Sequence, residues 1–209
     1  MNLLSLVFAL VACQADVTKD KPAADVGPVT PPPAVEAAPP PTPARAPGLA
    51  VDKARSSVVA VGAKVTESHD LAFGDFSGEL GLDGEAFVNV TTKVNVGSVT
   101  TDSPKLVEHL LSEDFFSAAQ FPEATFASTL VTPGGENGAT HTVKGTFTLR
   151  GVSREVSFPA TVAITPTEVT AKAEFSINRA DFGVVYPGKP DNLIQDGVLL
   201  RIQLVAPRG

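Results

Sequence analysis

The 209-residue chain has a single cysteine, Cys13, so no internal disulfide can staple the fold. Its three histidines, His69, His109 and His141, lie far apart and show none of the clustered Cys/His spacings that hold a structural zinc ion. No Lys/Arg cluster occurs and the net charge is −7, which makes a polyanion such as nucleic acid a poor partner. There is no Gly-x-Ser-x-Gly elbow and no glycine-rich loop that would cradle a phosphate ahead of a helix. His69-Asp70 is a lone dipeptide with no nucleophile motif beside it. A catalytic role is therefore not expected, and a hydrolase using His69 or His109 is the enzymatic alternative.

Long hydrophobic runs are missing too. The longest, Leu3 to Ala12, falls short of the ~20 residues that a membrane-spanning helix needs, but it has the length of a signal-peptide core. It ends in Leu10-Val11-Ala12-Cys13, which resembles the lipobox of bacterial lipoproteins. That resemblance implies that Cys13 carries diacylglycerol and that residues 1–12 are removed. The leader has no Lys or Arg, so an ordinary secretory signal with a coincidental cysteine stays open as an alternative. Gln14-Ala15 stand where some lipoproteins carry an aspartate that retains them at an inner membrane, which leans the expectation to the outer membrane.

Residues 13–48 are rich in Pro and Ala, with Pro31-Pro32-Pro33 and Pro39-Pro40-Pro41-Thr42-Pro43, and lack large apolar side chains. Such a stretch cannot bury enough surface to offset its ordering entropy, and it reads as a disordered, semi-extended tether. Fully extended it would reach on the order of 100 Å.

From Leu49 the pattern alternates with period two. Val143, Phe147 and Leu149 interleave with Thr142, Lys144, Thr146 and Thr148. Val156, Phe158, Val162 and Ile164 follow the same rule, as do Val169, Ala171, Ala173, Phe175 and Ile177, and then Val198, Leu200, Ile202 and Leu204. Ala86, Val88, Val90, Val94 and Val96 are placed together on one face of an earlier strand. Alternation of this kind gives sheets with one buried and one wetted face, and therefore mainly antiparallel pairing. Asp83-Gly84, Arg150-Gly151 and the stretch Pro133 to Gly138 supply turns between the runs. About eight strands are expected, in a closed barrel or a sandwich. One segment differs. Ser103-Pro104 opens a short amphipathic helix whose stripe is Leu106, Val107, Leu110 and Leu111.

Four blocks then occur in order. They are Asp102 to Phe116 with its His109-Leu110 and Asp114-Phe115-Phe116, and Phe121 to Ser128 with Pro122, Phe126 and Ser128. Val143 to Ser153 and Ile177-Asn178-Arg179-Ala180-Asp181-Phe182-Gly183 complete the set. Together they resemble the YceI-like family over nearly all of residues 49–209. One departure is Val107-Glu108, where many members carry Arg-Asp. The resemblance implies an all-β, extended, antiparallel, lipocalin-like β-barrel with a short helical insert. It further implies a polyisoprenoid or other long-chain amphiphilic lipid as ligand and no catalytic machinery. A place in the cell envelope, periplasmic or at the outer membrane, and a part in envelope stress go with it. No cofactor is implied beyond a bound isoprenoid or fatty-acyl lipid.

On that reading the barrel interior comprises Val88, Val90 and Val94, then Phe126, Phe147 and Phe158, then Val162, Phe175, Val198 and Leu200. His109, Phe115 and Phe116 are candidates for the mouth, and Asn178, Arg179 and Asp181 for contact with a headgroup. The Asn178–Asp181 group also suits a plain turn that fixes Phe182 and Gly183. The alternative for the whole domain is an interaction module whose small apolar residues fill a solid core.

Overall fold

A computed structural model describes residues 16–29, 48–190 and 192–208. Cys13, the expected leader and residues 30–47 lie outside the described residues. In chain order the strands are β1 (Asp25–Val29), β2 (Leu49–Ala50), β3 (Ser57–Ala63), β4 (Ser68–Phe73), β5 (Phe76–Asp83) and β6 (Ala86–Asn95). β7 (Val99–Thr100) precedes the one α-helix among the described residues, α1 (Pro104–Leu111). There follow β8 (Glu123–Pro133), β9 (His141–Leu149), β10 (Val152–Ile164) and β11 (Glu168–Asn178), then β12 (Gly188–Lys189), β13 (Asn192–Leu193) and β14 (Gly197–Pro207).

The main sheet is antiparallel and runs β2-β5-β6-β8-β9-β10-β11-β14-β3-β4-β7. Nine of its strands have six residues or more and make the wall. The sheet curls into an incompletely closed barrel, which decides between the barrel and the sandwich that the alternating pattern left open in favour of the barrel that the four blocks imply. Residues 49–52 stitch one end of the seam: Leu49 pairs with Leu80, Val51 N–H donates to Gly78 O, and Asp52 N–H donates to Val205 O at 2.8 Å. β5 is thereby tied to β14.

Turn chemistry follows the residues that demanded it. Arg150 (φ 52°) and Gly151 (φ 72°) both take the left-handed region between β9 and β10, the requirement of a two-residue hairpin whose twist matches its strands. α1 begins at Pro104, whose missing N–H costs nothing at a helix start. Ser103 contributes its backbone carbonyl, which accepts from Leu106 and Val107, and its side chain makes no cap bond.

Two expectations need correction. Val88 is 43% exposed and lies outside the barrel. The β5–β6 pairing shifts between Gly81↔Asn89 and Leu82↔Phe87, so Val88 is the extra residue of a bulge and the inward parity moves to Phe87 and Val90. The expected tether is also partly ordered. Asp25–Val29 forms a strand on β10, and Ala23 bridges Ser176 of β11.

A candidate apolar ligand cavity

The barrel interior encloses a cavity of about 220 Å³. An apolar cavity of roughly 150 Å³ is enough to stay dry and take up benzene. Val198, Leu200, Ile202 and Leu204 of β14 all line the space. Alternate residues over that stretch span about 20 Å at the rise of a strand. The cavity is thus long and narrow. Its lining is apolar apart from Lys64, His69, Thr92, Lys172, Arg179 and Gln195.

Eight of the ten interior candidates line it: Val90 and Val94 from β6, Phe126 from β8, Phe147 from β9, Phe158 from β10, Phe175 from β11, and Val198 and Leu200 from β14. The rings are ordered by one another. Phe158 stacks on Phe175 at 4.0 Å and tilts against Phe126 at 5.4 Å, while Phe147 meets Phe182 edge-on at 5.0 Å. Gly145 makes room for Phe126, since a Cβ there would sit 2.7 Å from the Phe126 ring edge. Val162 is buried away from the cavity, in the solid end of the core. Val88 lies on the outer surface.

α1 and the turn after it cover one end. Leu106, Leu110, Phe115 and Phe116 line the cavity from above. His109 does not. Its ring packs edge-on against Phe115 and Tyr186, each at 4.9 Å, and its Nε2 lies 2.9 Å from Asp114 Oδ2. This places His109 in the lid that pins α1 to Tyr186.

Arg179 is 6% exposed and is held by its surroundings on every side. Its Nε donates to Gln195 O, its Nη1 to Val184 O and Tyr186 O, and its Nη2 to Ile194 O and Asp196 Oδ1. Five acceptors match the five donors of a guanidinium, so Arg179 binds the loop from Val184 to Asp196 to the barrel rim. Asn178 caps the following 3₁₀ turn by accepting from Ala180 N–H, and Asp181 O accepts from Arg154 Nε. Asn178 and Asp181 border a second hollow together with Ala24, Val26 and Ile177.

Sequence reasoning missed the contribution of β3 and β4. Ala60, Gly62, Ala63, Lys64, His69 and Leu71 border the cavity near its rim. Gly62 has open space where a Cβ would be, which leaves the rim unobstructed there. The run Ser57-Val58-Val59-Ala60-Val61-Gly62-Ala63 is too evenly apolar to reveal an inward face.

The rim carries charged pairs. Lys64 Nζ lies 2.9 Å from Glu67 Oε1, and His69 Nδ1 lies 2.9 Å from Asp102 Oδ1 with Nε2 3.7 Å from Glu67. The hydrogen bond from Lys64 holds the Glu67 carboxyl below its usual range, and the Thr101 hydroxyl followed by His69 does so for Asp102. Both nitrogens of His69 face carboxylates, so neither is aimed at a hydroxyl or thiol that it could activate. Among the described residues no three His, Cys, Asp or Glu side chains come together to hold a metal ion.

The YceI-like domain family matches residues 49–206, about three-quarters of the chain. The chain belongs to that family. Among its curated relatives is a UPF0312 protein of Shewanella sp. strain ANA-3, 37% identical over 90 residues, which are 42% of this chain and 46% of that protein. A UPF0312 protein of Yersinia enterocolitica is 36% identical over 88 residues, 41% of this chain and 44% of the relative. The matched part spans less than half the length of these relatives. The crystal structure of BcnA from Burkholderia cenocepacia is similar with a TM-score of 0.64 at 27% identity, over 75% of this chain and 99% of BcnA. A polyisoprenoid binding domain from Saccharophagus degradans has the same fold, with a TM-score of 0.62 at 16% identity over 78% of this chain and 99% of the domain.

Proposed function

We propose that this YceI-like protein binds or carries one long apolar chain with a small polar head, a polyisoprenoid or another long-chain amphiphile. The cavity carries the reading. A hydrocarbon segment leaving water for that lining gains up to ~0.8 kcal/mol per methylene, part of which offsets the ordering of a flexible chain. The charged rim around Lys64, Glu67, His69 and Asp102 leaves the polar head at the wet end. The Saccharophagus degradans domain of the same fold is a polyisoprenoid binding domain, a guest whose shape suits this long, narrow space. Binding rather than turnover fits a lining whose one hydroxyl is Thr92. A solid core, the other reading of the sequence, does not account for the void.

The reading includes tethering in the cell envelope through an acylated Cys13. Two residues, Gln14 and Ala15, separate Cys13 from Asp16, so with residues 16–29 docked the barrel would sit within roughly 10 Å of its anchor. A longer reach requires those residues to leave the wall.

Native mass spectrometry of the full chain produced in a bacterial periplasm tests the ligand. The expected result is added mass that organic extraction removes. A protein with no added mass that also takes up no fluorescent polyene fatty acid would overturn the reading. Fractionation of Cys13→Ser tests the anchor, because the variant should move from the membrane to the soluble fraction.

A further inference from the structure

We infer that the seam between β10 and β11 is a second, lateral portal to the cavity, and that strand β1 is its removable stave. The inference rests on the reading of the cavity as a lipid site.

The seam is a break in the wall. β10 pairs with β9 from Val152 to Ala160, and β11 pairs with β14 from Glu168 to Asn178. β10 and β11 themselves pair only from Thr161↔Lys172 to Ile164↔Val169, beside the turn that joins them. Beyond that point residues 22–29 take the place of a direct ladder. On one side Asp25 lies opposite Ser157, Val26 opposite Val156 and Val29 opposite Arg154. On the other side Ala24 N–H donates to Ser176 O and Ser176 N–H donates to Pro22 O, each at 2.8 Å.

Both margins of the seam face the ligand space, through Val156 and Phe158 of β10 and Phe175 and Ile177 of β11. Ala24 and Val26 point inward and pack on the same core, while Ala23 and Asp25 are exposed. A segment that lies ahead of the matched residues 49–206 thus fills the gap between β10 and β11, behind the side chains that border the cavity.

Its attachment is weak compared with its neighbours. Gly27 and Pro28 sit where the register shifts between Val26 and Val29, and proline has no N–H to give to a ladder. Among the described side chains of the segment, Ala24 and Val26 are the ones packed on the core. The ion pair from Lys21 to Glu174, at 3.1 Å, joins side chains that are 37% and 40% exposed, where solvent screens it. Segments with few buried apolar contacts and solvent-exposed backbone bonds are the ones that open locally. Release of this one would free the edge of β10 from Arg154 to Ser157, about 10 Å at the rise of a strand. A chain could then slip in sideways without its head being drawn under α1.

The test uses the full chain carrying Cys13→Ser together with Asp25→Cys and Ser157→Cys. These two are facing positions with outward side chains, at a separation that a disulfide spans. Stopped-flow fluorescence follows uptake and release of parinaric acid, a linear polyene fatty acid, by the oxidised and reduced forms. The oxidised form should exchange the fatty acid roughly tenfold more slowly, with unchanged equilibrium uptake, if undocking gates the portal. Equal rates with normal uptake would overturn the portal alone, and no uptake by either form would overturn the cavity reading and the portal with it. Amide hydrogen exchange gives a readout free of ligand. The Ala24 and Ser176 amides should exchange on the order of 100-fold faster than those of Phe175 and Ile177, which point to β14, if β1 opens locally. Equal protection of all four would also sink the portal.

Discussion

At the end of the barrel where β10 turns into β11, Leu80, Val169 and Ala206 have no exposed surface and none of them borders the cavity. At the other end the cavity opens beneath α1, and the rim is held by a guanidinium, an aromatic trio and a few charged pairs. One end is stabilised by close packing, where every methylene is felt. The other is stabilised by directional polar contacts around a void. A barrel that keeps a void cannot pack throughout, so its hollow end needs anchors of another kind. Arg179 is the chief of these.

Substitutions placed at the two ends sharpen the contrast, and the largest effect is expected at Arg179. Arg179→Met leaves the carbonyls of Val184, Tyr186, Ile194 and Gln195 without their donor and should cost about 4 kcal/mol in urea unfolding, as removal of one side of a buried polar set does. Arg179→Lys keeps the charge but not the fork, and should recover part of the loss. A loss under about 1 kcal/mol would mean that the rim does not depend on this side chain.

Leu80→Ala comes next, at about 3 kcal/mol, because the solid end cannot collapse around the gap. Thermal and denaturant unfolding should both report it with no change in fatty-acid uptake.

The most direct comparison is a matched pair on adjacent strands. Ala206→Leu adds volume where there is no space and should cost about 2 kcal/mol. Ala171→Leu adds the same volume into the cavity, should change stability by less than about 1 kcal/mol, and should reduce uptake of parinaric acid. Equal costs at the two sites would mean that the hollow end is no looser than the solid one.

The smallest effect is acid sensitivity. Glu67 and Asp102 at the rim, and Glu85 beside Arg208 at the solid end, have carboxyl pKa values lowered in the folded protein. A lowered folded pKa contributes stability that is complete above the unfolded value, near 4.5 for glutamate, and is lost as pH falls through the folded one. The melting temperature should therefore decline below that pH. Asp102→Asn and Glu85→Gln should each flatten the decline slightly, and an unchanged acid limb in both would assign it to other groups.

Much of the wall could be read from residues alone. Period-two alternation in β9, β10, β11 and β14 marks the inward face, and eight of the ten interior candidates border the cavity. Val88 could not be placed, because a bulge leaves no trace in an alternating run that is apolar on both sides of it. Arg179 looked like a headgroup contact or a turn residue, since its five acceptors come from a loop up to 17 residues away and most of them are backbone carbonyls, which any sequence supplies. The strand at Asp25–Val29 was hidden by composition. A stretch with Gly27 and Pro28 has little tendency to form a strand alone, and it does so here against exposed backbone edges of β10 and β11 that it did not have to create.

The sequence by itself determined the family, the antiparallel barrel and the helical insert, because these follow from the side-chain period and from ordered local motifs. Only the tertiary structure decided that the interior is hollow, that a guanidinium clasps its rim and that the N-terminal segment mends its wall. Those features depend on how strands far apart in the chain curl and part, which is a matter of three-dimensional closure that no local pattern encodes.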